Sequence, residues 1–130
     1  MSRQAIFPPE LAQLVEETGF SPAVRAGDFV FLTGATGGSA NGDMPEDIET
    51  QCRNALAKAL TVIAAAGGTA QNIVEVTSYH IGLRQHFDTV DAVFREILGT
   101  PLPAWTAVEV AGLRRPGALV EFRIVVHLPA

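Results

Sequence analysis

The chain has 130 residues, of which 48% are apolar and 18% charged, so we expect one folded domain over residues 1–130 rather than a disordered segment. Its formal net charge is −5 and its basic residues form no run, which makes nucleic acid a poor partner. A single cysteine excludes an internal disulfide and no apolar stretch is long enough to span a membrane, so the composition favours a soluble, cytoplasmic protein.

The first half of the sequence predicts a strand pair, a polar loop and a long helix. Gly27 and Asp28 divide residues 22–34 into two apolar runs, which is the pattern of an antiparallel hairpin. The loop GATGGSANGD follows, and its Asp43 is the predicted N-cap of a helix that ends near Ala66. The apolar positions of this helix form one stripe: Ile48, Cys52, Ala55, Leu56, Ala59, Leu60 and Ile63.

The second half predicts three strands and a second helix. Residues 73–81 are rich in β-branched side chains and indicate a strand, and an apolar stripe starting at Phe87 indicates a helix that ends at Gly99. Residues 104–110 and 118–128 follow as two strands joined like a hairpin by LRRPG. The last strand alternates, with one face formed by Ala118, Val120, Phe122, Ile124, Val126 and Leu128. We therefore expect an α+β fold, a mixed sheet with two helices on one face and the other face left for water or a partner subunit.

Motifs for a cofactor or a nucleophile are weak. The string FVFLTGATGGSA is similar to the glycine-rich turn of a dinucleotide site, but NGDMPED follows instead of an apolar helix, so a connecting loop is favoured. The three histidines lack ligand spacing, which predicts no metal site and no cofactor. No serine stands in a GxSxG elbow, and Cys52 lies on a buried stripe where its thiol is expected to be inert.

Three carboxylates and one tryptophan remain as candidates for function, each with a structural alternative. Asp91 fits a solvated helix residue, and Trp105 could pack in the core at a subunit interface. Glu121 shares a strand face with Arg123 and could pair with it or with an arginine on a neighbouring strand. Structural ion pairs also bury carboxylates, so the pattern alone favours the structural roles. Glu109 has no role that the pattern assigns.

Five strings, in order, are similar to the Rid family, also called the YjgF/YER057c/UK114 family, of small imine and enamine deaminases. They are GFSPAVRAGDFVFLTG, QCRNALAKALTVIAAAG, QNIVEVTSYHI, HFDTVDAVFREILG and PAWTAVEVAGLRRPGALVEF, and they cover nearly the whole chain. The resemblance implies a chorismate-mutase-like domain whose sheets form a central barrel in a homotrimer. It also implies three small-molecule clefts between adjacent subunits.

The resemblance also implies site residues. In active members an arginine in P-A-R-[ST] grips the substrate carboxylate, and a glutamate of the last strand positions or activates water. The matching positions are Glu121 for the glutamate, Thr33 and Gly34 for loop contacts, Phe20 for the usual aromatic residue and Asp91 for the usual helix asparagine. The arginine falls on Trp105, Ala107 occupies a position that is often cysteine, and the turn in LRRPGALVE is one residue longer than usual.

The exchange of arginine for Trp105 bears directly on the substrate. An indole has one N–H and cannot reproduce the planar donor fork of a guanidinium, so a standard 2-imino acid is disfavoured. Arg114 or Arg115, in the lengthened turn, could supply a cation from a new direction.

Two functional hypotheses follow. The first is a hydrolase that adds water to the C=N bond of a small imine or enamine, with Glu121 acting on the water and Phe20 and Trp105 forming an aromatic wall. The alternative is a non-catalytic trimeric protein that binds a small ligand in the same cleft. Loss of the anchoring arginine favours the binding protein, whereas retention of Glu121 with Thr33 and Gly34 favours the enzyme. The ribonuclease activity sometimes ascribed to the family fits poorly with the acidic charge.

Overall fold

One sheet of seven strands runs through the chain, described here for residues 3–39 and 41–129 by a computed structural model. Three helices accompany it. In chain order the elements are β1 (Gln4–Ile6), α1 (Ala12–Thr18), β2 (Ala23–Ala26), β3 (Phe29–Leu32), β4 (Ala35–Thr36), α2 (Ile48–Ala65), β5 (Ile73–His80), α3 (Leu83–Leu98), β6 (Ala104–Glu109) and β7 (Val120–His127). The mixed α+β architecture is as predicted, and α1 is an additional helix.

The predicted first hairpin is confirmed, whereas the predicted start of α2 is wrong. β2 and β3 pair antiparallel around Gly27, whose φ of 59° is the left-handed conformation that a tight turn requires. The N-cap of α2 is Asp47, because its carboxylate accepts the backbone N–H of Thr50 at 2.9 Å. Asp43 lies in the preceding loop, where its N–H donates to the side chain of Asn41. Two aspartates precede the same apolar stripe, and the one adjacent to the first helical residue caps it.

The predicted hairpin of the last two strands is also wrong. The strand order is β1-β2-β3-β7-β5-β6, with β4 also paired to β7, so β5 separates β6 from β7. β6 runs parallel to β5, and α3 forms the crossover between them. A helix of 16 residues returns the chain to the same end of the sheet, which a parallel neighbour requires.

The two faces of the sheet differ in their cover. The alternation predicted for β7 is confirmed, since Val120, Phe122 and Ile124 are buried in the core shared with α2 and α3. The opposite face carries Phe29 and Phe31, which are 41% and 39% exposed. We call this the open face. None of the helices in the described part of the chain is long and apolar enough to cross a membrane.

Glu109 has a structural role that its sequence position did not reveal. Its carboxylate reaches from the end of β6 to the start of α3, where it accepts the N–H groups of Leu83 at 2.7 Å and Gly82 at 3.1 Å. These N–H groups have no partner inside the helix, so the carboxylate caps it from another strand. The bonds from Leu83 and then Gly82 lower the pKa of Glu109 below its ordinary value of 4.5.

Glu109→Gln is expected to destabilise the fold at neutral pH. A lowered pKa in the folded state means that the ionised carboxylate contributes stability above pH 4.5, and that this contribution is lost as the pH falls through the folded-state pKa. Urea unfolding of wild type and variant from pH 7 to pH 2 measures the difference, which we expect to shrink with acid. Glu16→Gln, at an exposed position of α1, is the control. A difference that does not change with pH would show that the cap does not depend on the charge.

Candidate functional site

Glu121 lies on the open face of β7, directly against the loop that follows β3. Its register neighbours are Tyr79 on β5 and Thr36 on β4. The side chain is half-buried, and its carboxylate lies over Gly34, where any Cβ would clash with the Oε2 atom. A side chain at position 34 would therefore displace the carboxylate from its place over the backbone.

The predicted ion pair between Glu121 and Arg123 is wrong. Arg123 instead approaches Glu75 of the adjacent strand, with 3.7 Å between the guanidinium and the carboxylate. Residues two apart in a strand lie about 6.6 Å apart along it, whereas an arginine readily reaches across to its neighbour. Within residues 3–39 and 41–129 the Glu121 carboxylate has no ion pair and no hydrogen bond, which leaves a half-buried acid without a partner.

Phe20 and Thr33 lie on the same rim as Glu121. The Thr33 hydroxyl donates to the carbonyl of Ser21 at 2.5 Å, and the Thr33 N–H donates to the carbonyl of Pro22 at 2.9 Å. These bonds fix the end of β3 against the segment that carries Phe20, whose side chain is 60% exposed. The structure thus brings Thr33 and Gly34 to the edge where Glu121 lies, with Phe20 on the segment bonded to Thr33.

The glycines beyond this rim have packing reasons that do not involve a nucleotide. A Cβ at Gly37 would clash with the backbone of Gln51 in α2, and a Cβ at Gly38 would clash with the guanidinium of Arg115. That guanidinium also donates to the carbonyl of Gly42. Arg115 therefore holds this loop in place, which supports the prediction of a connecting loop.

Trp105 lies on the other side of the sheet, facing the helices. Its register partner on β5 is the buried Val76. The indole centroid is 5.0 Å from the ring of Phe87, at an interplanar angle of 11°, and 4.5 Å from the ring of Phe94. Residues seven apart on a helix are about 10.5 Å apart along its axis, so the indole lies between the two rings of α3. Trp105 therefore packs within its own chain.

The only hydrogen-bond donor of Trp105 is engaged inside the fold. Its Nε1–H donates to the Oγ atom of Ser78 at 2.8 Å, and that oxygen is 2.7 Å from Nε2 of His80. Ser78 and His80 are fully buried, and burial lowers the pKa of His80, so its imidazole is neutral at pH 7. The indole therefore has no free N–H with which to bind a ligand. Its ring is already in contact with the rings of Phe87 and Phe94.

The polar residues Ser78 and His80 were missed in the sequence. After Val76 they alternate with the partly buried Thr77 and Tyr79, so the period of β5 places both in the core layer. The other imidazole nitrogen of His80, Nδ1, is buried with no partner in the described part of the chain. A strand that carries two polar residues on its buried side is the signal that could have identified them.

Asp91 and Ala107 lie on the same side as Trp105. Asp91 pairs with Arg95, one turn further along α3, at 3.0 Å. Ala107 is the register partner of Ser78 on the helix-facing side of β6. The predicted site residues therefore form two groups on opposite sides of the sheet: Phe20, Thr33, Gly34 and Glu121 in one, and Asp91, Trp105 and Ala107 in the other. A single chain does not bring the two groups together.

Two other chemistries have little support in the structure. Cys52 is buried in α2, as predicted, and burial raises the pKa of its thiol to about 12, which disfavours the reactive thiolate. Among the residues that the structure describes, no group of histidine, cysteine, aspartate and glutamate side chains could hold a metal ion.

Known proteins similar to this chain agree in sequence and in fold. The sequence model of the family described as Endoribonuclease L-PSP matches residues 11–128. The RutC family protein YjgH of Escherichia coli is 34% identical over 130 residues, which are 99% of this chain and 98% of YjgH.

Two solved structures extend this similarity. Rv2704 of Mycobacterium tuberculosis, a member of the YjgF/YER057c/UK114 family, has a TM-score of 0.80 at 29% identity and covers 98% of this chain and 100% of its own. RidA of the Antarctic bacterium Psychrobacter has a TM-score of 0.81 at 26% identity and covers 97% and 100%. With matching sequence over residues 11–128 and matching fold over nearly its whole length, this chain belongs to the Rid family, the YjgF/YER057c/UK114 family.

Proposed function

We propose that this protein is an imine or enamine deaminase-like hydrolase that adds water to the C=N bond of a small metabolite. The observation that carries this proposal is the unpaired, half-buried carboxylate of Glu121 over Gly34. Partial burial of a charge costs free energy unless a partner compensates it, and Glu121 has no partner in the described chain. A carboxylate held in this way at a rim is available to bind a ligand or a water molecule.

In the proposed reaction Glu121 takes a proton from water while the water oxygen bonds to the imine carbon. The C=N bond becomes a single bond, and Glu121 passes this proton to the nitrogen, which gives an adduct with a hydroxyl and an amino group on one carbon. In the second step Glu121 takes the hydroxyl proton and gives it to the nitrogen as the C–N bond breaks. The nitrogen leaves as ammonia, the carbon becomes a carbonyl and the carboxylate is regenerated.

The substrate that we propose carries no carboxylate at the position where active family members use arginine. Trp105 stands at that position, and its N–H already donates to Ser78. A carboxylate placed there would lose its water shell without gaining a cation or a donor, which is costly. We therefore propose a neutral imine or enamine, with Phe20 contributing an exposed aromatic surface.

We also propose that a neighbouring copy completes the site in a homotrimer whose sheets form a central barrel. Two observations support this: the two groups of predicted site residues lie on opposite sides of the sheet, and Phe29 and Phe31 are exposed on the open face. Burial of such an apolar face against another subunit is favourable. The single buried cysteine is compatible with a reducing, cytoplasmic location, which stays a prediction.

Light scattering at micromolar concentration is expected to give the mass of three chains. Phe31→Asp places a charge on the open face and is expected to reduce that mass to one chain, because burying an unpaired carboxylate opposes assembly. Leu14→Asp, at an exposed apolar position on α1, is the matched control and is expected to leave the trimer intact. A wild-type monomer would contradict the proposed assembly.

A non-catalytic ligand-binding trimer is the second candidate, and the engaged indole of Trp105 is the observation that favours it. The two candidates differ in turnover. Freshly generated imines, neutral and anionic, are mixed with the protein, and release of ammonia or carbonyl product is followed. We expect faster release than in buffer for neutral imines. If no imine in the panel is hydrolysed faster than in buffer, the proposed hydrolase activity is contradicted for that panel. The proposal of a non-catalytic binding protein is then supported.

A further inference from the structure

A groove of about 620 Å³ lies between the N-terminal segment and α2, and Trp105 is not among the residues that line it. This volume is within the range of small-molecule sites, about 300–1,000 Å³, and is too small for a folded partner. Most of its lining side chains are apolar, and the chain contributes them from three places: Pro8, Leu11 and Leu14 before and in α1, Pro22 and Leu32 at the sheet, and Ala59 and Val62 on α2.

Lys58, the only lysine in the sequence, lines this groove from α2. It has no carboxylate within 4 Å in the described ranges of the chain. Lys58 is exposed on α2, and it lies where its partial burial lowers its pKa and the nearby guanidinium of Arg115 lowers it further, so a like charge lies close to the ammonium. Glu10 also lines the groove but is exposed and forms no ion pair with Lys58.

We propose that this groove binds a small amphipathic monocarboxylate, whose apolar body packs on Leu11, Leu14 and Val62 and whose anionic end pairs with Lys58. The apolar walls match the body of such a molecule, and the uncompensated cation matches its charge. Primary amines are excluded because Lys58 would repel them. The proposal does not depend on the reaction of Glu121, although Thr33 and Gly34 belong to both the groove and the rim.

The single lysine permits a direct test on the full-length protein in its native assembly. Protein labelled with ¹³C at the lysine ε-carbon gives one lysine side-chain resonance, which comes from Lys58. Titration with octanoate is expected to shift this resonance to saturation and to raise the pKa that it reports. We expect 1-octanol and acetate to bind at least about tenfold more weakly, because the first lacks the charge and the second the apolar body.

Two variants separate the charge from the shape of the side chain. Calorimetry is expected to show about tenfold or weaker octanoate binding for Lys58→Met, which keeps the length of the side chain, and near-wild-type binding for Lys58→Arg, which keeps its charge. Equal binding by wild type and Lys58→Met, equal binding of octanol and octanoate, or no shift of the Lys58 resonance would each overturn the proposal. Since no turnover is measured, these results are independent of whether the protein is a hydrolase.

Discussion

Trp105→Ala is expected to lower the free energy of unfolding by about 3 kcal/mol, the low end of the range for removal of a buried aromatic side chain, because Trp105 is half-buried. The loss has two parts. The substitution removes the indole from between Phe87 and Phe94, and it removes the indole N–H that donates to the buried Oγ atom of Ser78. Both effects arise in the core between α3 and the sheet, independently of any ligand.

Trp105→Phe separates these two parts. Phenylalanine keeps an aromatic ring beside Phe87 and Phe94 but cannot donate to Ser78, so we expect a smaller loss of about 1 kcal/mol. Chemical denaturation followed by circular dichroism, at equal chain concentration, measures all three proteins. If Trp105→Ala were as stable as wild type to within about 0.5 kcal/mol, the indole would be a surface residue kept for a ligand.

Glu121→Gln is expected to lower kcat for imine hydrolysis by a factor of about 10²–10⁴. Glutamine has nearly the same shape over Gly34 but cannot accept a proton from water. Since the carboxylate has no ion pair in the described chain, the substitution is not expected to destabilise the fold. Initial rates of carbonyl release, measured on protein of confirmed trimer mass, provide the comparison.

Glu75→Gln is the control for Glu121→Gln. Glu75 lies on the neighbouring strand and pairs with Arg123 at 3.7 Å on the surface, where such pairs contribute little. We expect it to retain the wild-type rate. A wild-type rate for Glu121→Gln would show that this carboxylate is not the base.

Local sequence patterns predicted the helices and strands better than they predicted which strands pair with each other. The alternation of β7, the Gly27 hairpin and the apolar stripe of α2 were all visible, because each depends on neighbours a few residues away in the sequence. The partner of β6 depends on the path of the chain through α3, so proximity of β6 and β7 in sequence suggested a hairpin that does not form. Helix α1 was missed because seven residues carry too short a stripe to stand out.

At the candidate site, too, the sequence identified residues but not how they are arranged in space. Similarity of sequence identified Glu121 and Gly34, and the structure gives their relation a physical reason, since the carboxylate fills the space above the glycine. Sequence did not reveal that Trp105 faces the helices and donates to Ser78. The side of the sheet on which a residue lies follows from strand register, which a single sequence does not specify for an edge strand.

We propose that the site hydrolyses imines and lacks the arginine that anchors a carboxylate in active members of the family. The most direct measurement is kcat/KM of the wild-type protein for two freshly generated imines that differ only in a carboxylate beside the C=N carbon. We expect the neutral imine to be hydrolysed above the buffer rate and to be preferred at least about tenfold, since Trp105 provides neither cation nor free donor. A preference for the anionic imine would contradict this account, because it would require an anchor elsewhere in the cleft.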